Sequence, residues 1–562
     1  MTFVPRQSRK HSLLLCFIFF SLLALPLPAA QKAESQGGIV VSGSPQSTEA
    51  GIRILKQGGT AADAAVAVSL TLGVTEPFNS GLGGKLVVLY YEASSGKISY
   101  IESLEAAPLG MSVEAMRALP SEDRKRGWHS VAIPGCAAGL EVMQKKWGKL
   151  PWRDLVKPAV GYARDGFPLA DKQIVEFQNK FDLVTKDPEA AKIYYPGGKV
   201  PTNNQLLKNP DLAKTMEIMG DKGPKAFYEG EIAEKLVAAS KKGGGSFTKE
   251  DFKSYKAREF PPLVQDYKSF RIYAGAPPIT GGATVLLSLK SLEAKDWGNT
   301  ASMSLGRVEQ VAHAWQNIYP IVASNFGDTP DQPERIAKVF AKESLADLSK
   351  AVLDAASAPP AGETEEPTPE SAETTHFIVI DKAGNIVCAT QSLSLHWGAA
   401  VVAPGTGILL NDSLSNFGFG PRKYVNSAEP GKRPRSTMAP VIVTEKGKPV
   451  IAIGSPASDR IPTGVYQVLS NMIDFAMDPV AAIDQPRFHL KRAKSPSEPK
   501  NALELEEGFD AALAGELKKN WETSFKQRNQ YYFGSVNVVR ILPDGKREGF
   551  ADERRTNVAA GE

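Results

Sequence analysis

A threonine stands at a sharp change of composition in the second half of the chain. Before it, residues 357–373 read SAPPAGETEEPTPESAE, which has too few apolar side chains to offset the entropy of ordering and predicts a mobile loop. After it, residues 375–380 and 385–392 predict two buried strands joined by a tight turn. If the chain were cut before Thr374, this residue would gain a free α-amine, which can act as the general base for its own hydroxyl. The junction therefore offers a candidate nucleophile on the condition that such a cut occurs.

Two serines lie close behind this threonine in the predicted sheet. Ser392 and Ser394 occupy alternate positions after the turn, so a continued strand would place them on one face. From that face a hydroxyl could reach the hydroxyl or the amine of Thr374. Two exposed strand serines would give the same pattern.

The segment 454–460, with the sequence GSPASDR, joins a predicted strand (449–454) to a predicted helix (461–476). Backbone N–H groups at the start of such a helix suit an oxyanion, whose stabilisation is the main need of acyl transfer. An ordinary capped helix start is equally consistent with this segment.

The elements around these residues indicate a layered fold. Residues 60–72 (TAADAAVAVSLTL) are small and apolar on nearly every face, which predicts a tightly buried helix. A helix over 49–57, capped by Ser47 or Thr48, precedes it, and a further helix is predicted over 226–239. The stretch 187–209 is rich in loop-forming residues. The Gly-rich segment 80–85 precedes a strand and not a helix, and this order favours close packing or a substrate-lining turn over a phosphate cradle. Helix layers over two central sheets are the expected architecture.

The N-terminus predicts export. A basic start, an apolar run over 13–25 and small residues at 28–30 are typical of a signal peptide over residues 1–30, which predicts a periplasmic or secreted protein. An uncleaved membrane anchor is the alternative, although the run is short for a spanning helix. The net charge of +4 implies neither nucleic acid nor acidic membranes as partners.

The remaining residue types point away from metal chemistry. The histidines are scattered and neither HExxH nor CxxC occurs, so no metal site is expected. Cys136 and Cys388 would remain after export, and two buried free thiols are favoured over a disulfide between them.

Several motifs together resemble the γ-glutamyltransferase family over nearly the whole mature chain. They are TTHF at 374–377, DKAGN at 381–385, GILLN at 407–411, KRPRSTMAP at 432–440 and GSP at 454–456, and upstream GTAADAA at 59–65, SGLGG at 80–84, AFYEG at 226–230 and PPITGG at 277–282. The terminal segments FGS at 533–535 and ADERR at 551–555 also match. So many ordered matches make a chance resemblance very improbable.

The resemblance implies an α+β fold, a four-layer αββα sandwich of the N-terminal nucleophile hydrolase type. It implies one precursor that cuts itself at Glu373–Thr374 into a large subunit (31–373, ending in the loop 357–373) and a small subunit (374–562). The Thr374 hydroxyl would attack the Glu373 carbonyl and, after processing, take an acyl group from substrate. Ser392 falls where the family has a threonine that helps to activate the nucleophile. Ala457 and Ser458 replace the family's Gly-Gly pair of the oxyanion hole, and they keep its function only if the backbone there does not require glycine.

The same resemblance assigns a substrate pocket with altered residues. Its members by position are Ser394, Ser413, Asn416, Ser436 and Thr437. Asn416 replaces an aspartate that binds the substrate's α-ammonium. Leu104 replaces an arginine that binds its α-carboxylate. Loss of two charged anchors, each worth about 1.5–3 kcal/mol, would weaken the binding of a free γ-glutamyl group by orders of magnitude.

The expected function is an exported, self-processing amidohydrolase or acyltransferase of this family that requires no cofactor. Its substrate would be a small-molecule or peptide amide, either a glutathione-like γ-glutamyl amide or an acyl amide with another headgroup, such as a glutaryl group, a β-lactam side chain or poly-γ-glutamate. The acyl group would pass to water or to an amine. A processed but catalytically silent binding protein is the third alternative.

Overall fold

The computed structural model describes residues 1–2, 30–203, 205–354, 374–491, 502–528 and 531–562. The predicted signal segment (apart from residues 1–2 and 30), the acidic loop 357–373 and Glu373 lie outside the described residues. Among those that are described, no helix is both long enough and apolar enough to cross a bilayer.

The described part of the chain contains nineteen strands. In chain order they are β1 Gln31–Ser35, β2 Ile39–Ser42, β3 Lys85–Glu92, β4 Lys97–Ser103, β5 Phe167–Pro168, β6 Leu206–Leu207, β7 Arg258–Phe260, β8 Leu263–Tyr267, β9 Phe270–Ala274, β10 Thr375–Ile380, β11 Ile386–Ser392, β12 Val441–Glu445, β13 Lys448–Gly454, β14 Phe488–Leu490, β15 Ala502–Glu506, β16 Glu522–Lys526, β17 Asn537–Ile541, β18 Arg547–Ala551 and β19 Val558–Gly561.

The described residues also form eighteen α-helices. They are α1 Pro45–Lys56, α2 Ala61–Thr75, α3 Val113–Ala118, α4 Cys136–Trp147, α5 Trp152–Asp165, α6 Asp171–Asn179, α7 Phe181–Val184, α8 Pro188–Tyr194, α9 Pro210–Lys222, α10 Glu231–Gly243, α11 Lys249–Ser254, α12 Gly281–Leu292, α13 Leu305–Asn325, α14 Gln332–Val339, α15 Lys342–Leu353, α16 Arg460–Asp474, α17 Pro479–Asp484 and α18 Ala511–Leu517.

Two antiparallel seven-stranded sheets form the centre of the molecule. Their strand orders are β1-β18-β17-β13-β12-β9-β8 and β19-β2-β10-β11-β3-β4-β7. The sheets contact each other through β10, β11, β13 and β17, while α1, α2 and α4 cover the second sheet and α12 and α16 cover the first. This arrangement confirms the four-layer αββα prediction. It follows from sheets that are apolar on both faces, because each face must be buried against another layer.

The small apolar helix α2 shows how the sequence builds these layers. The Thr60 hydroxyl caps its N-terminus by accepting a hydrogen bond from the Asp63 amide, and the Asp63 carboxylate accepts one from the Thr60 amide. All but one of its residues are buried. Small side chains on every face let α2 pack closely against neighbours on several sides at once.

The first helix begins earlier than predicted. Ser44, not Ser47 or Thr48, is the N-cap of α1, and Pro45 takes the first helical position, where its missing N–H costs nothing. Ser47 instead completes the capping box with Ser44. The sequence contains several hydroxyl residues here, and only the backbone conformation selects among them.

Two other elements also differ from the prediction. The stretch 187–209 contains the helix α8, capped by Asp187. The helix predicted over 226–239 begins only at Glu231, because Gly230 adopts φ +94° and separates α10 from a short 3₁₀ turn at Pro224–Phe227. Cys136 and Cys388 are buried and unpaired, as favoured, and burial raises the pKa of each thiol to about 12.

Candidate active site

Thr374 lies directly before the central strand β10, beside the end of β11. Its hydroxyl donates a hydrogen bond to Ser392 Oγ at 3.1 Å, and its carbonyl oxygen accepts one from the Arg555 guanidinium at 3.0 Å. Thr374 is 5% exposed and has φ +104°, a value that a β-branched residue adopts only under constraint. The contacts on both sides therefore hold the predicted nucleophile in one orientation. Arg555 was seen in the sequence only as part of a motif, and its contact with Thr374 was not anticipated.

The next residue is anchored by a buried carboxyl group. Thr375 Oγ1 donates to Glu76 Oε2 at 2.7 Å, and Thr556 Oγ1 lies 3.2 Å from Glu76 Oε1. Burial raises the pKa of Glu76, although these hydrogen bonds and the nearby Arg555 oppose that shift. Glu76 thus ties the start of β10 to the C-terminal segment.

One cavity collects most of the predicted site residues. The predicted residues that line it are Thr374, Ser392, Ser394, Asn416, Ser436, Thr437 and Ser458. Ser413 lies behind this surface, fully buried, and Ala457 is also fully buried. Residues from five separate parts of the small subunit predicted by the sequence thus meet at the predicted nucleophile.

Ser392 and Ser394, at the end of β11, are not placed as the sequence predicts. Ser392 is the last residue of β11, but Ser394 lies beyond the strand with φ +79°, so the two do not alternate along one strand face. The chain turns at this point, and the Ser394 amide donates to Ser392 Oγ at 3.0 Å. Ser392 Oγ therefore accepts from both the nucleophile and the turn, which orients it towards Thr374.

Three of the predicted pocket residues form a continuous hydrogen-bonded network. Asn416 Nδ2 donates to Ser394 Oγ at 3.0 Å, and Ser394 Oγ lies 2.7 Å from Ser413 Oγ. Ser413 and Asn416 share a single 3₁₀ turn, Ser413–Asn416. On the opposite wall, the Thr280 amide holds the Ser436 carbonyl at 2.7 Å and so links the turn before α12 to Ser436 and Thr437.

The segment that replaces the family's Gly-Gly pair keeps a backbone conformation that favours glycine. Ala457 has φ +106° and Ser458 has φ +48°. Such conformations cost on the order of 1–3 kcal/mol in non-glycine residues and persist only where the surroundings impose them. Gly534 packs against this turn so closely that a Cβ there would lie 2.2 Å from the Pro456 carbonyl oxygen. Both residues therefore adopt positive φ angles despite their side chains, and the assignment of this turn to an oxyanion stays a prediction.

A buried lysine that the sequence analysis did not select contacts the substrate-binding network. Lys85, the first residue of β3, lines the cavity. Its ammonium group donates to Ser394 Oγ and, at 3.2 Å, to Ser413 Oγ, and it forms an ion pair with Glu105 Oε2 at 3.3 Å. Burial raises the pKa of Glu105, opposed by the Lys85 charge. The available signal was a charged residue opening the otherwise apolar run KLVVLYY.

Cations line the cavity, although Leu104 stands where the family has an arginine. Leu104 is fully buried in the core, and it is not among the cavity-lining residues. Lys85 and Arg435 line the cavity together with one carboxylate, Asp459. Arg435 donates to the Ala323 carbonyl at 2.8 Å. The position of the missing arginine gives no sign of this, because Lys85 comes from another strand, β3, and reaches the network only in the folded chain.

Within the described residues, no group of three His, Cys, Asp or Glu side chains is placed to hold a metal ion. Hydroxyl, amide and charged side chains line the cavity around Thr374. A hydroxyl that already donates to an acceptor, beside backbone amides and cations, is suited to forming and stabilising an acyl ester.

An αββα sandwich with a threonine beside its central strand, hydrogen-bonded to a neighbouring hydroxyl, belongs to the class of N-terminal nucleophile hydrolases. Comparison with known proteins agrees with this class. The family described as gamma-glutamyltranspeptidase matches residues 47–562. The chain therefore belongs to the γ-glutamyltranspeptidase family and is an enzyme of the glutathione hydrolase type.

Individual relatives cover nearly the full chain. The glutathione hydrolase proenzyme of Escherichia coli (strain K12) is 32% identical over 535 residues, covering 92% of this chain and 90% of the relative. That of Pseudomonas sp. (strain A14) is 32% identical over 514 residues, covering 86% and 87%. The solved structure of a cephalosporin acylase from Bacillus halodurans has a TM-score of 0.84 at 25% identity and covers 97% of this chain and 100% of that one.

Proposed function

We propose that the protein is an exported, self-processing threonine amidohydrolase that cleaves the Glu373–Thr374 bond and then uses Thr374 to form an acyl-enzyme. The observation that carries the proposal is the 3.1 Å hydrogen bond from the Thr374 hydroxyl to Ser392 Oγ within the cavity. The hydrogen bond from Arg555 to the carbonyl oxygen of Thr374 supports the proposal, because it restrains the backbone of the candidate nucleophile.

The proposed processing reaction needs no cofactor. Thr374 Oγ attacks the Glu373 carbonyl carbon, its proton passes through the hydrogen-bonded neighbours to the leaving amide nitrogen, and the C–N bond breaks to give an ester and a free Thr374 amine. Water then hydrolyses the ester, which releases the Glu373 carboxylate and restores the hydroxyl. The new α-amine becomes the general base for the next reaction.

The same atoms perform the proposed reaction on substrate. Thr374 Oγ attacks the amide carbonyl of the substrate, the amine leaves with a proton, and the acyl group remains as an ester on Thr374. Water or an acceptor amine then takes the acyl group. Backbone amides of the turn at Ala457 and Ser458 are the proposed oxyanion donors, because this turn reaches the cavity beside Thr374.

Two acyl groups are candidates. The names of the curated relatives favour a γ-glutamyl amide such as glutathione. A second candidate, an acyl group without the full amino-acid headgroup, is favoured by Leu104 in the core and by Asn416 in the cavity wall, since neither provides the charge expected for a γ-glutamyl group. The similarity to a solved acylase is consistent with this second candidate.

Self-processing is tested by comparing the wild-type protein with Thr374→Ala. We expect the wild type to separate into two chains on a denaturing gel, with a new N-terminus at Thr374, while the variant stays intact. A wild-type protein that remains one chain would contradict the proposal. Sequencing of the large subunit tests export at the same time, since signal removal predicts an N-terminus near Gln31.

Catalysis is tested separately with the processed protein. Incubation with an electrophile that reacts with N-terminal threonines, followed by mass spectrometry, should label Thr374. A chain that is processed but neither labelled nor active on any amide would instead be a silent binding protein.

A further inference from the structure

Lys85 is a buried cation of the candidate active site, and nothing in the family resemblance assigns it a function. Its side chain is 3% exposed, and its ammonium group carries three N–H donors. One points to Ser394 Oγ, one to Ser413 Oγ and one to Glu105 Oε2. Glu105 is completely buried behind it. Of these three partners, Ser394 is the one that lines the cavity.

The position of Lys85 relative to the nucleophile follows from short contacts. Thr374 Oγ1 is 3.1 Å from Ser392 Oγ, which is 3.0 Å from the amide of Ser394, and the Ser394 hydroxyl meets Lys85 Nζ. Within β3 and β11, Lys85 is also paired directly with Ser392. A short acyl chain bound to Thr374 can therefore reach the Lys85 ammonium group within the same cavity.

The charges around the cavity decide which acyl group suits it. Lys85 and Arg435 are the cations on its wall and Asp459 is the carboxylate. Asn416 is neutral, and it is linked to Lys85 through Ser394, to which it donates one amide N–H. An α-ammonium group placed beside Asn416 would gain no ion pair and would lie close to the Lys85 charge. A carboxylate would gain a charge-assisted hydrogen bond from Lys85 and a hydroxyl donor from Ser394.

We propose that Lys85 is a specificity-determining residue that binds a terminal carboxylate of the acyl group, so that the preferred substrates are amides of dicarboxylic acids without an α-ammonium group. This inference rests on the proposed acyl-enzyme function. The substrate carboxylate replaces the Ser394 hydroxyl as the partner of Lys85 on the cavity side, while Glu105 keeps the lysine side chain in place from behind.

Three p-nitroanilides with five-carbon acyl groups test this directly on the processed wild-type enzyme. The valeryl group carries no charge, the glutaryl group carries a terminal carboxylate, and the γ-glutamyl group adds an α-ammonium. We expect kcat/KM for the glutaryl compound to exceed both others by roughly 10- to 100-fold, the effect of one hydrogen bond to a charged group. The inference would be overturned if kcat/KM for the valeryl compound equalled that for the glutaryl compound, or if kcat/KM for the γ-glutamyl compound exceeded it.

Variants of the ion pair provide the second test. Lys85→Met is made together with Glu105→Gln, because a lone buried carboxylate would destabilise the chain. The ratio of kcat/KM for the glutaryl and valeryl compounds should fall to near one in this double variant and recover in Lys85→Arg. Lys146→Met removes an exposed lysine that is paired with Glu259 and should leave the ratio unchanged. An unchanged ratio in a double variant that still processes itself would exclude Lys85 as the anchor.

A binding measurement separates this inference from the proposed function. Calorimetry of the wild-type protein with glutarate, glutamate and valerate requires no turnover, and glutarate should bind most tightly. Equal affinities would overturn the role of Lys85 even if catalysis is established. Absence of self-cleavage together with tight glutarate binding would instead contradict the proposed reaction and leave the carboxylate site standing.

Discussion

Replacement of Gly84 should disturb the candidate active site through the backbone alone. A Cβ at this position would lie 2.1 Å from the carbonyl oxygen of Ser392 and 2.9 Å from its carbonyl carbon. The first distance must increase to roughly 3.4 Å for an ordinary contact. Because the obstructing atoms belong to the backbone, no side-chain rotation can relieve the contact, and β3 and the end of β11 must separate.

The expected cost of Gly84→Ala lies at the upper end of the range for overpacking, about 3 kcal/mol. The separation also moves Ser392 away from Thr374. Their hydrogen bond is already 3.1 Å long, so a further increase in distance would weaken or break it. We therefore expect two effects, a lower free energy of unfolding and slower self-cleavage.

Stability should be measured by urea denaturation in the Thr374→Ala background, where self-cleavage cannot alter the chain. Gly161→Ala is the matched control, because Gly161 lies within α5 and a Cβ there meets nothing within 4 Å. Alanine should stabilise that helix by about 1 kcal/mol. Self-cleavage is then followed on denaturing gels for both substitutions with Thr374 present. If Gly84→Ala unfolds at the parent's urea concentration and cleaves at the parent's rate, the steric reasoning is wrong.

Two further predictions concern the strands that carry the nucleophile. Ser392→Ala removes the acceptor of the Thr374 hydroxyl and should slow self-cleavage by about tenfold or more, whereas Ser392→Thr should retain most of the rate. Equal rates of self-cleavage in the two variants would exclude a role for this hydroxyl. Burial lowers the pKa of His376 to about 3 from its ordinary 6.5. Between these two pH values the unfolded chain binds a proton at this residue and the folded chain does not, so the free energy of unfolding should fall as the pH drops from 6.5 towards 3. Urea midpoints measured against pH in the Thr374→Ala background should fall less steeply for His376→Gln, and parallel curves would contradict this assignment.

Local sequence patterns were sufficient for most of the architecture. The apolar composition of residues 375–380 predicted β10 with its observed bounds, and the small apolar run after Thr60 predicted α2. These patterns succeed because a strand or helix that is buried on every side must be apolar on every side. Boundaries were less predictable where several residues could serve as caps, as at Ser44, or where one glycine interrupts a helix, as at Gly230.

The candidate site was only partly accessible to the same reasoning. Motif order located Thr374, Ser392 and the turn at Ala457, and the structure brings them to one region. The order of the motifs does not show that Ser394 leaves the strand, because the turn there depends on contacts with distant residues such as Asn79. The left-handed conformation of Ala457 is likewise imposed from outside, by packing against Gly534.

The sequence by itself determined the family, the layered fold and the identity of the candidate nucleophile, because each is written in local patterns and in the order of short motifs. Only the tertiary structure decided the charge of the cavity. Lys85 and Ser394 are far apart along the chain, and their contact depends on the pairing of β3 with β11. A pocket assembled from distant segments acquires its electrostatic character from which side chains converge, and no single segment of the sequence contains that information.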